Sequence, residues 1–282
     1  MRHKLVSDVP GIADFVDPDL TNPWGIAASP TGPLWISNNH SGTATIYDTS
    51  SKPATLVVTL RAPGSTAPSS PTGQIFNSTT AFVLPGGKAA LFLFATEDGT
   101  ISGWYNGIDN NEAAIMVNQS GSHAIYKGLA IATSDTRGPL LLAADFHGGS
   151  VEAYDGQFAP VSLTGTFKDP ALPTGYAPFN IYIAANTVYV AYAKRDGHAE
   201  DDEPGEGNGY ISTFDLEGRF QQRLISQGKL NSPWGMVIAP ASFGDFGGSV
   251  LVGNFGDGTM NAYDPQTGAV RGHCRMAAVS RS

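Results

Sequence analysis

An all-β propeller is the fold class this sequence predicts, on three observations. One sequence unit recurs five times at intervals of roughly 50 residues, a spacing within the range of propeller blades. Within each copy, short β-rich runs alternate with turns of Gly, Pro, Asn and Asp, and no stretch keeps a helical period for long. The 34 glycines and 19 prolines, set against only 15% charged residues, suit many short strands joined by tight turns.

The copies can be followed in order. The first reads Asn22-Pro23-Trp24-Gly25, then Leu34-Trp35-Ile36-Ser37-Asn38, then Gly42-Thr43-Ala44-Thr45-Ile46-Tyr47-Asp48. The second has Thr72-Gly73-Gln74, Leu91 to Thr96 and Gly99 to Trp104; the third has Lys127-Gly128-Leu129, Leu140 to Asp145 and Gly149 to Asp155. The fourth has Phe179-Asn180-Ile181, Thr187 to Tyr192 and Gly209 to Asp215. The fifth, Ser232-Pro233-Trp234-Gly235 with Val250 to Asn254 and Gly258 to Asp264, repeats the first most closely. Each is read as strand, turn, strand, Gly-containing turn, strand. A fourth, outer strand follows, as in Ala54 to Leu60, Phe220 to Ile225 and around Gly268-Ala269-Val270-Arg271. Four-stranded blades follow from this pattern.

A sixth blade is expected to be incomplete. Lys4-Leu5-Val6-Ser7 precedes the first copy much as Arg223-Leu224-Ile225-Ser226 precedes the fifth, so it reads as an outermost strand whose three partners are missing. The expectation is therefore a six-bladed propeller with five full repeats, a single domain over residues 1–272, and a non-repeat tail at 273–282 marking a truncation or frameshift near Gly272.

Composition removes several function classes. A net charge of -9 without a clustered basic stripe argues against nucleic-acid binding. One cysteine, Cys274, excludes an internal disulfide. No apolar run is long enough for a transmembrane helix. Residues 1–8 are basic but lack the apolar stretch of a signal peptide, so either the protein is cytoplasmic or its export signal lies outside this chain. Phosphate loops, dinucleotide fingerprints and a Gly-x-Ser-x-Gly elbow are absent.

The chain resembles the NHL-like six-bladed propellers, in particular a group of mostly exported bacterial propeller proteins. The resemblance spans about residues 4 to 272 and rests on Leu5-Val6-Ser7-Asp8, Asn22-Pro23-Trp24-Gly25, Ala95 to Trp104, Tyr176 to Ile181 and Gly253 to Gly258. It implies an exported, periplasmic or extracellular protein. It also places the loops entering the first strand and the turns between second and third strands on one channel face.

On that face the aligned copies put Asn22, Gln74, Lys127, Asn180 and Asn231 in the entry loops. The turns carry Asn38, Asn39, His40, Glu97, Asp98, Asp145, His147, Lys194, Asn254 and Asp257. Asn22, Asn38, His40, Gln74, Lys127, His147 and Lys194 are the candidate ligand-binding residues. Glu97, Asp145, Asn180 and Asn254 offer carboxylate and amide oxygens for a hard cation such as Ca²⁺, a set similar to that at the channel mouth of six-bladed lactonases. Against this, Glu97-Asp98-Gly99 and Asn254 to Gly258 also read as ordinary tight turns. Asn180 stands where the other copies have glycine. It either projects an amide inward or bonds its own backbone. His40 and His147 occupy equivalent turns, and read either as a soft-metal or acid–base pair or as solvated turn residues. Lys194 to Gly209 is an enlarged acidic turn, read as a lid, a cation-binding loop or a solvated loop.

The function expected is a binding or scaffold module, monomeric, whose channel face takes a small molecule, a glycan or a protein. The alternative is a calcium-dependent hydrolase, lactonase or lyase at the channel mouth. Trp24 and Trp234 are expected to pack between blades.

Overall fold

A computed structural model describes residues 4–274. The chain divides into two compact units, one holding residues up to 148 with 152–162, the other 149–151 with residues from 163 onward.

Three blades belong to the first unit, each an antiparallel meander. Blade 1 is β3 (Pro23–Ala28), β4 (Leu34–Asn38), β5 (Thr43–Tyr47) and β6 (Val58–Thr59), after two short strands, β1 (Val6–Ser7) and β2 (Phe15–Val16). Blade 2 is β7 (Pro71–Phe76), β8 (Phe92–Thr96), β9 (Thr100–Trp104) and β10 (Ala114–Asn118). Blade 3 is β11 (Tyr126–Ser134), β12 (Gly138–Asp145) and β13 (Ser150–Tyr154), whose first two residues group with the second unit. The second unit carries blade 4, β14 (Tyr176–Ala184), β15 (Thr187–Lys194), β16 (Gly209–Phe214) and β17 (Phe220–Ser226). Blade 5 is β18 (Pro233–Ile238), β19 (Val250–Asn254), β20 (Met260–Tyr263) and β21 (Val270–Cys274).

The described residues therefore form five blades, not five plus part of a sixth. The N-terminal segment expected to start the sixth pairs elsewhere. Val6 and Ser7 lie parallel to Phe15 and Val16, joined by a loop of turns and bends over residues 8–14 in which Gly11 has a φ of 77°. Asp17 then anchors this flap by accepting the Tyr47 hydroxyl of blade 1 at 2.7 Å. Blade 3 also departs from the expected four strands. Beyond an isolated bridge at Pro160, the following segment forms no fourth strand. It contains Pro160, Pro170 and Pro173, which have no N–H for a ladder, and Gly165 and Phe167 instead donate to Glu217 and Gly218. The expected C-terminal tail lies outside the described residues from residue 275 onward.

One irregularity recurs in all five blades. The register between the first and second strands shifts after Pro23, Pro71, Tyr126, Pro178 and Pro233. Such a bulge leaves a residue outside the ladder and re-aims its side chain. The re-aimed residues are Trp24, Thr72, Lys127, Phe179 and Trp234. Within the first unit the neighbouring first strands then approach very closely. A Cβ on Gly25 would lie 2.3 Å from the Thr72 carbonyl, and one on Gly73 would lie 2.8 Å from the Gly128 Cα. Both contacts are with backbone, which cannot rotate away.

The cores lie between adjacent sheets. Trp35 stacks on Phe92 at 4.1 Å and lies 5.0 Å from Trp104, joining blades 1 and 2. Phe82, Leu93, Tyr126, Leu141 and Phe158 fill the space between blades 2 and 3, and Ile211, Leu224, Leu230, Val250 and Tyr263 do so between blades 4 and 5. Among the described residues no helix is long and apolar enough to cross a membrane.

Gly73→Ala is expected to destabilise the protein by about 1–3 kcal/mol, as overpacking does. Gly235→Ala, where an added Cβ meets nothing within 4 Å, is expected to cost little. Denaturant melts of the two variants check the contrast; equal losses would contradict close packing at the first strands.

Candidate functional site

Five of the residues singled out from sequence form one connected network in the first unit. Lys127 is the re-aimed residue of blade 3, where the other blades place Trp, Thr, Phe and Trp. Its side chain is 1% exposed and its Nζ donates to Glu97 Oε1, on the β8–β9 turn of blade 2. The same ammonium stands 5.0 Å from the Trp24 ring of blade 1 and 6.0 Å from the Phe146 ring. An ammonium over an aromatic face is attracted by the ring quadrupole, more so when water is excluded.

The other Glu97 oxygen faces outward. Oε2 accepts from Asn39 Nδ2 at 2.9 Å and lies 3.7 Å from His40 Nε2. Asn39 is buried, donates also to the Pro71 carbonyl at 3.3 Å, and accepts from Asn22 Nδ2 at 3.2 Å. His40 and Asn22 stand in the left-handed region, at φ 66° and 47°, and are exposed. His40 is 73% exposed against 18% for Glu97. The arrangement is a buried cation, a carboxylate it orients, and two exposed polar side chains beside it: Asn22, bonded to the amide neighbour Asn39, and His40, 3.7 Å from the carboxylate. It is built to hold groups in fixed positions at a water-accessible edge.

The remaining candidates in this unit serve the fold locally. Asn38 donates to the Thr43 and Thr45 hydroxyls, each at 3.1 Å. Gln74 donates to the carbonyls of Gly25 at 2.8 Å and Trp35 at 2.5 Å, tying blade 2 to blade 1. Asp98 accepts from the Ser69 hydroxyl and the Ser70 N–H. Asp145 accepts from the N–H groups of Ile125 and Gly148. Burial raises its pKa, against the lowering effect of those two bonds and of His147 beside it. His40 thus turns to Glu97 and His147 to the Asp145 side.

In the second unit the amides are also committed. Asn180 donates to the Trp234 carbonyl at 2.8 Å while its Oδ1 accepts from the Ile181 N–H, so both readings of that residue hold in part. Asn254 donates to the Lys229 carbonyl and the Thr259 hydroxyl, and its Oδ1 accepts the Asn231 N–H. Asn231 donates to Asp257 at 3.1 Å and accepts the Gly205 N–H at 2.7 Å. Lys194 pairs with Glu203 at 2.7 Å across the enlarged turn. Asp196 caps that turn by accepting from the N–H groups of His198 and Glu200. Of the four expected cation ligands, Glu97 and Asp145 lie in the first unit and Asn180 and Asn254 in the second. Each makes the local bonds just described. Among the described residues no group of three or more His, Cys, Asp and Glu side chains is clustered for metal binding.

Sequence reasoning missed a buried ion pair in the second unit. Arg223 grips Asp169 with both arms, at 2.6 and 2.8 Å, and Ser212 donates to the same carboxylate at 2.7 Å. Burial pushes the Asp169 pKa up, but the bonds from Arg223, Ser212 and the Ala171 N–H outweigh it and hold the carboxyl below its usual 3.8. The available signal was Arg223 itself, a charged residue two positions before the buried Ile225 of a closing strand; Asp169 lies in an aperiodic Pro-rich segment that offered none.

No family model matches the chain. It is 35% identical over 272 residues to "Uncharacterized protein L690" of Acanthamoeba polyphaga mimivirus, covering 92% of this chain and 70% of that protein. The chain belongs to the family of that viral protein. "Uncharacterized protein R648" of the same virus is 36% identical over 270 residues, and this chain spans 66% of its length. The chain spans 33% of a third, "Uncharacterized protein R640", at 34% identity. The bacterial, exported relatives that the sequence resemblance implied are not what these comparisons return. Among solved structures, virginiamycin B lyase from Staphylococcus aureus superposes with a TM-score of 0.57 at 13% identity, over 92% of this chain and 71% of that one. A putative 6-phosphogluconolactonase from Bacteroides uniformis gives 0.50 at 14%, over 87% and 67%. At these identities the likeness carries the β-propeller fold alone.

Removing one partner of a buried pair strands the other charge, so Lys127→Met is expected to cost about 3 kcal/mol. Lys127→Met with Glu97→Gln should be more stable than Lys127→Met alone. Urea melts measure both, and additive losses would contradict direct pairing. The Asp169 contribution to stability is full above pH 3.8 and falls away as pH drops through the lower folded value. Arg223→Met should therefore flatten the loss of stability between about pH 5 and about pH 2; an unchanged acid limb in denaturant melts would contradict this.

Proposed function

We propose that the chain is a binding module that recognises a neutral polar ligand, a glycan, at the loop face of its first unit. The observation that carries this is the buried Lys127 ammonium at a bulge position, holding Glu97 and through it the exposed His40. Asn22 is fixed beside them through Asn39. A polar side chain already hydrogen-bonded in place, as Asn22 is, loses less freedom when a ligand arrives, which is how preorganisation raises affinity. The half-buried Trp24 beside the pair adds an aromatic surface suited to a sugar ring.

Metal-dependent hydrolysis would instead require Glu97 to exchange Lys127 for a cation. The two readings separate in one experiment, because a ligand that binds only the native state raises its melting temperature. Neutral oligosaccharides from a panel are expected to raise the melting temperature of the wild-type protein by several degrees. The rise should vanish in the doubly substituted His40→Ala, Asn22→Ala protein, whose two sites are exposed and whose fold is expected to persist. A rise with calcium that is reversed by EDTA and lost in Glu97→Gln would replace recognition by the hydrolase account. Absence of any glycan response would remove it.

A further inference from the structure

Single exposed apolar residues are ordinary on a protein surface. Those of blades 1 and 5 are set apart by the repeat, because the same positions are core in the other blades. In blade 1, Ala27 and Trp35 face blade 2. Side chains alternate along a strand, so Ile26 and Leu34 stand on the opposite face, the one a preceding blade would cover. Ile26 pairs with Ile36 as Gln74, Leu129 and Ile181 pair with the second strands of their own blades, and those three are buried. Ile26 is 56% exposed. Leu34 is 38% exposed, whereas Phe92, Leu141, Val188 and Val250 at the equivalent place are buried. The N-terminal flap reaches the Tyr47 end of this face through Asp17, and Ile26 and Leu34 stay open.

Blade 5 shows the converse. Met236, Val250 and Val252 pack toward blade 4, which puts Val237 and Met260 on the other face, where a following blade would lie. They are 46% and 43% exposed. Met260 corresponds to Ala44, Ile101 and Ile211, all of them fully buried. The glycines agree. Gly25 and Gly73 each bring a first strand against the backbone of the blade that follows, while Gly235, at the same position of blade 5, meets nothing within 4 Å.

We propose that the open face of blade 1 in one copy packs on the open face of blade 5 in a second copy, head to tail. What covers the equivalent faces elsewhere defines the occupant. A face like that of blade 1 is covered by the far side of a preceding blade. A glycine like Gly235 is met by the first strand of a following one. One chain leaves one of each open, so a second copy supplies both. The contact is heterologous, and each added copy carries a fresh face of either kind, so assembly continues into a ring or a filament. This departs from the monomer expected from sequence.

The test is sedimentation of the whole chain from micromolar to millimolar concentration. The wild-type mass should rise with concentration beyond that of one chain. A carboxylate placed in an apolar contact is costly to desolvate, so Ile26→Asp and Met260→Asp should each weaken association by about tenfold or more. Both sites are exposed, and melting temperatures close to wild type should show that the fold persists. Gly235→Leu, which fills space that is empty in one chain, should block association without any charge. An equimolar mixture of the Ile26→Asp and Met260→Asp proteins should recover a species of twice the single-chain mass and no larger, because each supplies one intact face. A wild-type mass that stays at one chain throughout would overturn the proposal. So would association that survives both substitutions, or a dimer lost in Ile26→Asp and not recovered in the mixture, the sign of two blade 1 faces meeting each other.

Discussion

Each blade begins with a displaced residue, and the rest of the molecule depends on that displacement. A strand that kept its register would point residue 24, 72, 127, 179 or 234 along the normal alternation of the ladder. The bulge frees it to turn out of the sheet. Proline precedes it in four blades, where a missing N–H makes the ladder easy to interrupt. In the first unit the glycines that follow let neighbouring first strands approach until backbone touches backbone. The position thus sets both how blades pack and what chemistry their loop ends present.

Four of the five displaced residues are Trp, Thr, Phe and Trp, all uncharged; Phe179 is buried, and the Thr72 hydroxyl donates to the Tyr126 carbonyl. Lys127 is the exception, and its consequences are local. A buried ammonium requires an anion, and Glu97 from the neighbouring blade supplies it. A carboxylate has more than one oxygen, so the far side of Glu97 gathers Asn39 and His40. One charged residue in an otherwise uncharged series therefore converts this position into an organising centre. The Asp169–Arg223 pair does similar work in the second unit. It neutralises the Asp169 carboxylate, which lies in the wall of a cavity.

Much of the fold was legible because the repeat is written in residues with strong local meaning. Gly42, Gly99, Gly149 and Gly258 all precede a third strand, and all adopt the left-handed φ that the turn requires. Trp35, Phe92 and Leu141 each fall on the second strand of a blade and end in the core, as the apolar runs there predict. The sixth blade was misread because Lys4 to Ser7 has the composition of an outer strand. Composition does not say which partner a two-residue strand will find, and Phe15 and Val16 supplied a nearer one. The site was legible as a set of loop positions: Asn22, Asn39, His40, Glu97 and Lys127 were all singled out. Their connection was not, since alignment of repeats places residues on a face without saying which lean toward one another. Asn38 and Gln74 were on the same face and turned inward to serve the sheets. Asp169 escaped altogether, because a Pro-rich connection has no period from which to infer burial.

The claim that Lys127 organises the loop face is tested most directly by amide hydrogen exchange in Lys127→Met against the wild-type protein. The Asn39 N–H donates to Asn22 and the Glu97 N–H to Ser70, so both report on the turns that the pair holds. Selective loss of protection at Asn39, His40 and Glu97, with the strands of blades 4 and 5 unchanged, is the predicted result. Unaltered protection at those turns, or an even loss across the whole chain, would contradict it.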